Sequence, residues 1–169
     1  MKASDFFPSI AADTVAATKG TGLFPSVMMG QAALEGGYGE SLLAKKYNNH
    51  FGIKASAGWH GSIVALDTTE YVHDKPIKVK SDFRSYDNRE SGFADRVRFL
   101  QVNPRYAKAG VFAAKTPEDQ LKALIKAGYA TDPNYVSKVM AIIKANNLTK
   151  YDGTQPATPA AAPADTKKK

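Results

Sequence analysis

The sequence predicts an α+β fold, mainly α-helical with a small β-hairpin lobe flanking a groove, and three observations carry that reading. Apolar residues recur at helical spacing through both ends of the chain, whereas between Ile63 and Tyr86 the period shortens to two. The chain has 169 residues, 43% of them hydrophobic and 10% aromatic, enough to bury one sizeable core. From about Tyr151 the composition changes to Pro156, Pro159 and Pro163 among alanines and ends in Lys167-Lys168-Lys169. Residues 1–150 are therefore expected to form one domain and 151–169 an extended flexible tail.

The first helix is expected from near Asp5 through Phe6, Phe7, Ile10, Ala11 and Val15, until Gly20 and Gly22 break it. Pro25 opens the second, which runs from Ser26 to Glu35 and meets Gly36, Gly37 and Gly39. Glu40 to Tyr47 reads as a short helix with Leu42 and Leu43 inward, and Asn48 to Lys54 as a turn entering an extended piece. A hairpin follows: Ile63 to Val72 is rich in β-branched and aromatic residues, Asp74-Lys75-Pro76 makes the turn, and Ile77 to Lys80 alternates apolar with charged. Helices resume with Asp87 as N-cap and Glu90 three residues on, feeding Phe93, Val97 and Leu100. Thr116-Pro117-Glu118-Asp119 starts another through Leu121, Leu124 and Ile125, stopped by Gly128. Asp132-Pro133 starts the last, with the stripe Val136, Val139, Met140 and Ile143.

One residue breaks this pattern informatively. Met28, Ala32 and Glu35 fall at i, i+4 and i+7 on a single stripe, so an ionisable carboxylate sits where an apolar side chain belongs. Burial and the negative end of the helix dipole both disfavour its charged form, which raises its pKa toward neutrality and suits it to donate a proton. The plain alternative is a solvated residue at a frayed helix end. A second carboxylate, Glu70, shares a strand face with Leu66, Thr68 and Val72.

Composition removes several classes. With no cysteine and three histidines, His50, His60 and His73, at no recognised ligand spacing, neither a disulfide nor a metal site is expected, and no cofactor. The formal charge of +7 favours a polyanionic partner: nucleic acid, an acidic membrane surface or an acidic cell-wall polymer. Basic residues are scattered and form no nucleic-acid module, so nucleic acid ranks last. No run is apolar enough for membrane insertion, and the N-terminus lacks a secretory hydrophobic stretch.

Helices around a small hairpin, with one acid ending a helix and another on a strand, outline a lysozyme-like domain. Gln31-Ala32-Ala33-Leu34-Glu35, Phe51-Gly52-Ile53-Lys54, Thr68-Thr69-Glu70-Tyr71, and Ala127 to Pro133 with Tyr135 resemble the signature segments of glycoside hydrolase family 73. This is a family of peptidoglycan-cleaving glucosaminidases that includes the enzymatic domain of the flagellar rod-cap protein. The resemblance spans residues 5 to 147, and Asn103-Pro104-Arg105-Tyr106 fits the rod-cap branch. The chain departs from the family at Gly36 and Tyr38, where Ser and Trp are common.

The resemblance implies that Glu35 is the general acid, Glu70 the second carboxylate and Tyr129 a tyrosine beside the reacting sugar, with Phe51, Tyr106, Tyr135 and Asn49 as substrate-binding residues. Tyr106 and Tyr135 read equally as packing aromatics, and Asn49 as a residue satisfying a turn. Glu70 acts as base on water if the carboxylates stand ~6.5 to 9.5 Å apart, or as nucleophile near ~5 to 5.5 Å; alternatively the substrate's 2-acetamido group attacks the anomeric carbon, oriented by Tyr129. A hairpin tethered by flexible ends would bring Glu70 in only on a bound glycan. The expected activity is endo-β-N-acetylglucosaminidase on peptidoglycan glycan strands. The rival readings are a lytic transglycosylase or muramidase on the same polymer, or a non-catalytic wall-binding module. Action is expected in the periplasm or at the cell wall. Delivery would use a route without an evident Sec signal, or a phage, secretion or injection apparatus engaged through the C-terminal tail.

Overall fold

The second helix is the axis around which everything else packs. In the computed structural model, which describes residues 1–56 and 58–153, the helices are α1 (Ala3–Thr18), α2 (Pro25–Gly36), α3 (Leu42–Tyr47), α4 (Arg89–Val102), α5 (Pro104–Lys108), α6 (Pro117–Lys126) and α7 (Tyr135–Ala145). Strands β1 (Ile63–Val72) and β2 (Lys75–Arg84) form one antiparallel hairpin between α3 and α4.

Most of α2 is buried, Met28 and Ala32 among its apolar residues and Ser26 and Gln31 among its polar ones, so the expected stripe widens to nearly the whole helix surface. It touches α1, α6, α7 and a closing 3-10 turn, Leu148–Tyr151. Gly30 lets α7 come close: a Cβ there would lie 2.9 Å from Val139 Cγ1 and 3.2 Å from Ile143 Cγ1. Leu148 is fully buried, and the Asp152 carboxylate accepts bonds from the Ser26 amide and hydroxyl, both at 2.8 Å. Asp152, which composition assigned to the tail, thus caps the start of α2, because a helix N-terminus leaves amides that need acceptors, and Tyr151 packs half-buried against the core. The remainder of the tail, 154–169, lies outside the described residues.

Several local expectations change. On α1 the buried face carries Phe6, Ile10, Thr14 and Thr18, while Val15 is exposed. Thr14 and Thr18 are tolerated inside because each hydroxyl donates to the carbonyl four residues back, at 2.8 and 2.9 Å. On α3, Ala44 is buried and Leu42 exposed, the reverse of the inward Leu42 expected. The N-cap of α4 is Asn88, which accepts from the Ser91 amide at 2.7 Å, not Asp87. Thr116 caps α6 by accepting from the Asp119 amide at 3.1 Å.

The hairpin turn is His73-Asp74, both in the left-handed region, and Pro76 lies within β2 opposite Tyr71. Two residues of positive φ match the twist of the flanking strands better than Asp74-Lys75-Pro76 would. Val64, Leu66 and Thr68 are half-buried on one face, but the outer half of the hairpin, from Thr69 to the turn, stands in solvent. Its β2 root is fixed rather than flexible: Arg84 donates to Asp95 at 2.9 Å and stacks 4.5 Å from the Trp59 ring, and the Arg84 carbonyl accepts from Asn49 at 2.9 Å. None of the helices described is long and apolar enough to cross a membrane.

Candidate active site

Glu35 occupies the last turn of α2. Gly37 follows in the left-handed conformation, φ 58°, and the Tyr38 amide returns to the Ala33 carbonyl at 3.0 Å, ending the helix sharply. The side chain opens into a groove of about 440 Å³ between the helical body and the 51–56 loop. Phe51, Ile53 and Lys54 form one wall; Phe99, Arg105 and Tyr106 another; Tyr129 and Tyr135 close the C-terminal side. Apolar surface with a few convergent polar atoms is what a sugar face and its hydroxyls require.

The carboxylate of Glu35 is held from behind by two phenols. Tyr129 donates to Oε1 at 3.1 Å, and Tyr135 makes a close bond to Oε2. Behind Tyr135 stands Gln31, one turn earlier on α2, whose amide donates to the Tyr135 hydroxyl at 2.9 Å. Gln31 in turn accepts from Arg96 of α4. Burial raises the Glu35 pKa to about 6, against the opposing pull of the Tyr135 bond, the Arg96 charge and the Tyr129 bond. Burial also pushes both phenols above their ordinary range, so they stay protonated donors. An acid poised this way holds a proton over a useful fraction of time near neutrality.

Of the residues expected at the site, Glu35, Phe51, Tyr106, Tyr129 and Tyr135 line one groove. Tyr106 is nearly inaccessible, and its hydroxyl accepts from Arg105 at 2.9 Å. Asn49 stands elsewhere. It is buried; its amide nitrogen donates to the Ile53 and Arg84 carbonyls at 3.0 and 2.9 Å, and its oxygen accepts from the Phe51 and Ile53 amides at 3.3 and 3.2 Å. Its hydrogen-bonding capacity is spent on shaping the loop, as in the turn-satisfying reading of this residue, and it is not among the residues lining the groove. Glu70 is not part of the groove wall. It is exposed on the outer hairpin, where Lys54 reaches it at 3.4 Å.

The two departures from the resemblance also find their places. Tyr38 packs edge-on against Phe6 and Phe7, 5.8 and 5.9 Å between ring centres, and belongs to the core instead of the groove. A Cβ on Gly36 would lie 3.0 Å from the His50 carbonyl, so the 48–54 loop sits close over the helix end. Sequence reading passed over Arg96, Gln31, Lys54 and Arg105. Arg96 did carry a signal: it interrupts the stripe Phe93, Val97, Leu100 as Glu35 interrupts its own. Among the described residues, no group of histidines and carboxylates is arranged to hold a metal ion.

A proton-bearing acid on the floor of an aromatic groove is the equipment of glycosidic cleavage, and the helical body with one hairpin lobe places the molecule among lysozyme-like glycoside hydrolases. Within that class, residues 11–148 match the glucosaminidase family, whose description is mannosyl-glycoprotein endo-β-N-acetylglucosaminidase. The chain belongs to this family, in agreement with its resemblance to glycoside hydrolase family 73. It is 40% identical over 129 residues to the peptidoglycan hydrolase FlgJ of Vibrio parahaemolyticus, covering 75% of this chain and 42% of that protein. It is 37% identical over 158 residues to a probable N-acetylmuramidase of Lactococcus lactis subsp. cremoris, covering 90% of this chain and 36% of that one. The chain thus spans less than half the length of these curated relatives. Among solved structures, the catalytic domain of the autolysin Auto from Listeria monocytogenes superposes with a TM-score of 0.76 at 35% identity, covering 88% of this chain and 86% of that one. The truncated glycoside hydrolase domain of Salmonella typhimurium FlgJ gives 0.71 at 37%, covering 86% and 98%.

Proposed function

We infer that this chain is a peptidoglycan hydrolase, an endo-β-N-acetylglucosaminidase cutting β-1,4 bonds of the bacterial cell-wall glycan by general acid catalysis. The observation that carries the reading is Glu35: a half-buried carboxyl with its pKa raised to about 6, facing an open groove of about 440 Å³ lined by aromatic side chains. Glu35 delivers its proton to the bridging oxygen as the bond to the anomeric carbon breaks. Tyr129 and Tyr135 then donate to the carboxylate that remains.

Positive charge on the sugar ring needs a second group. Glu35 is the single carboxylate among the residues lining the groove, and Glu70 is engaged with Lys54 outside it. This favours attack by the substrate's own 2-acetamido oxygen on the anomeric carbon as the leaving oxygen takes the Glu35 proton, followed by opening of the resulting oxazolinium by water, whose proton returns to Glu35, over a direct role for Glu70 in the free enzyme; Tyr129, beside Glu35, would orient the acetamido group. The same observation supports one alternative, a lytic transglycosylase, which needs a single acid.

The surplus of positive charge suits an acidic wall polymer, which supports action at the cell wall or in the periplasm. Delivery by a phage, secretion or injection apparatus through the C-terminal segment extends this reading. Mass spectrometry of the fragments released from purified sacculi tests the activity. A reducing GlcNAc end is expected. Anhydromuramic acid would show a transglycosylase, a reducing muramic acid a muramidase, and binding without release a non-catalytic wall module.

A further inference from the structure

Arg96 is the most deeply buried charge in the molecule's polar interior, with 1% of its surface exposed. Its guanidinium lies 4.7 Å from the Phe51 ring centre and 5.4 Å from that of Tyr129. It donates to the Gln31 side-chain oxygen, and its Nε has no partner among the described residues. The carboxylate whose charge acts on it is that of Glu35. A buried cation held by one neutral amide, the Tyr129 hydroxyl and two ring faces is a costly way to fill a core, since an apolar side chain of similar volume packs without desolvating a charge.

What the charge does accomplish follows from donor and acceptor inventory. Arginine can only donate, so the Gln31 oxygen must face it and accept. The Gln31 amide nitrogen is thereby turned to Tyr135, where it donates at 2.9 Å. The Tyr135 oxygen is then occupied as an acceptor, and its own hydrogen is free to point at Glu35 Oε2. Each of the three hydrogen bonds linking Arg96, Gln31, Tyr135 and Glu35 runs, donor to acceptor, toward the acid. A proton on Glu35 is consequently kept off the Tyr135 side and presented toward the groove.

We propose that Arg96 is a positioning residue for the acid: through Gln31 it fixes the direction of hydrogen bonding that ends on Glu35, and its buried charge stabilises the carboxylate left when the proton is delivered. This rests on Glu35 being the acid of a glycosidase. The ionisable groups around Glu35 are Arg96 from α4, Tyr129 from the loop after α6 and Tyr135 from α7, with Lys54 and Arg105 on the groove walls. Of these, Arg96 is the buried cation, so its removal leaves the two phenols and the desolvation of the site in place.

The test is a titration of Glu35 by NMR on protein carrying ¹³C-labelled glutamate, in wild type, Arg96→Met, Arg96→Lys and Gln31→Leu, with kcat and KM measured on solubilised glycan strands. Arg96→Met is expected to move the Glu35 midpoint upward by about 1 pH unit or more, the effect of losing a near opposite charge. Arg96→Lys keeps the charge and should leave the midpoint near the wild-type value, while kcat falls about tenfold for want of the planar fork. Gln31→Leu should likewise lower kcat with KM nearly unchanged. A residue that merely supported folding would move none of the midpoints. An unmoved midpoint in folded Arg96→Met overturns the electrostatic half of the proposal, and full kcat in folded Gln31→Leu overturns the positioning half. If Arg96→Met does not fold, Arg96→Lys decides: a midpoint raised as far as loss of charge predicts, or an undiminished kcat, refutes the assignment. Should wild type itself release no glycan, the titration still reads Arg96's effect on Glu35, so failure of the glycosidase reading is seen separately.

Discussion

Replacing Glu35 by Gln should abolish turnover and raise stability relative to wild type as the pH moves from acid to alkaline. Burial raises the Glu35 pKa from 4.5 to about 6, so between those values the folded state holds a proton that the unfolded chain has released. Stability contributed by this group is therefore complete below about pH 4.5 and lost as pH rises through about 6. The difference corresponds to about 2 kcal/mol at 1.36 kcal/mol per pH unit. Gln is neutral throughout and escapes the loss. The quantity to measure is the unfolding free energy of the variant minus that of wild type, from urea titrations near pH 4 and pH 8; it should rise by about 2 kcal/mol between them. Using the change in that difference removes two complications. The intrinsic gap between an amide and a carboxylic acid is common to both pH values. His50, whose pKa burial and then the Arg89 charge lower to about 4, weakens the fold as pH falls, but does so equally in both proteins. A difference that is flat with pH, or that falls toward alkali, would refute the claim that Glu35 is a desolvated acid.

The pH profile of the lytic activity should have its alkaline limb near pH 6, falling about tenfold per pH unit above it, because only protonated Glu35 donates; a limb above pH 8 would point to another acid. Glu70→Gln should retain measurable activity and change stability by less than about 0.5 kcal/mol, since its pair with Lys54 is exposed; complete loss of turnover would restore a direct role for this carboxylate. Asn49→Ala should destabilise by about 3 kcal/mol in urea unfolding, because it strips partners from two amides and two carbonyls of the loop that carries Phe51.

The helices and the hairpin were legible because their signals are local. Period, capping residues and glycine stops decide them within a few residues, and the errors that occurred were choices among neighbours: Asn88 in place of Asp87, His73-Asp74 in place of the proline-containing turn. Burial was harder to read. Leu42 was expected inside and is outside, and Thr14 and Thr18 lie inside, because sidedness on a short or central helix depends on which partners surround it. The same holds at the site. Glu35 is conspicuous in sequence because a charge violates a stripe and ends a helix, whereas Gln31, a neutral amide in the middle of α2, has no evident role until Arg96, 65 positions away, is brought against it. Asn49 illustrates the converse. A polar residue in a matching segment reads as a ligand contact until four hydrogen bonds are found to consume it.

The location and the chemistry of the acid have one origin. A helix packed on nearly every side can present a reactive group only from its ends, and the start of α2 is already closed by Asp152. At the other end the carbonyls point outward, so the helix itself opposes a carboxylate there. Burial adds to that opposition, and both favour the protonated form. Tyr129, Tyr135 and Arg96 arrive from three separate elements and all act in the contrary sense. The acid is therefore poised by a balance in which the desolvating terms come from where α2 lies and the compensating ones from what is packed against it. This is why a change at Arg96, buried behind the groove, is expected to alter the titration of the group proposed to donate the proton.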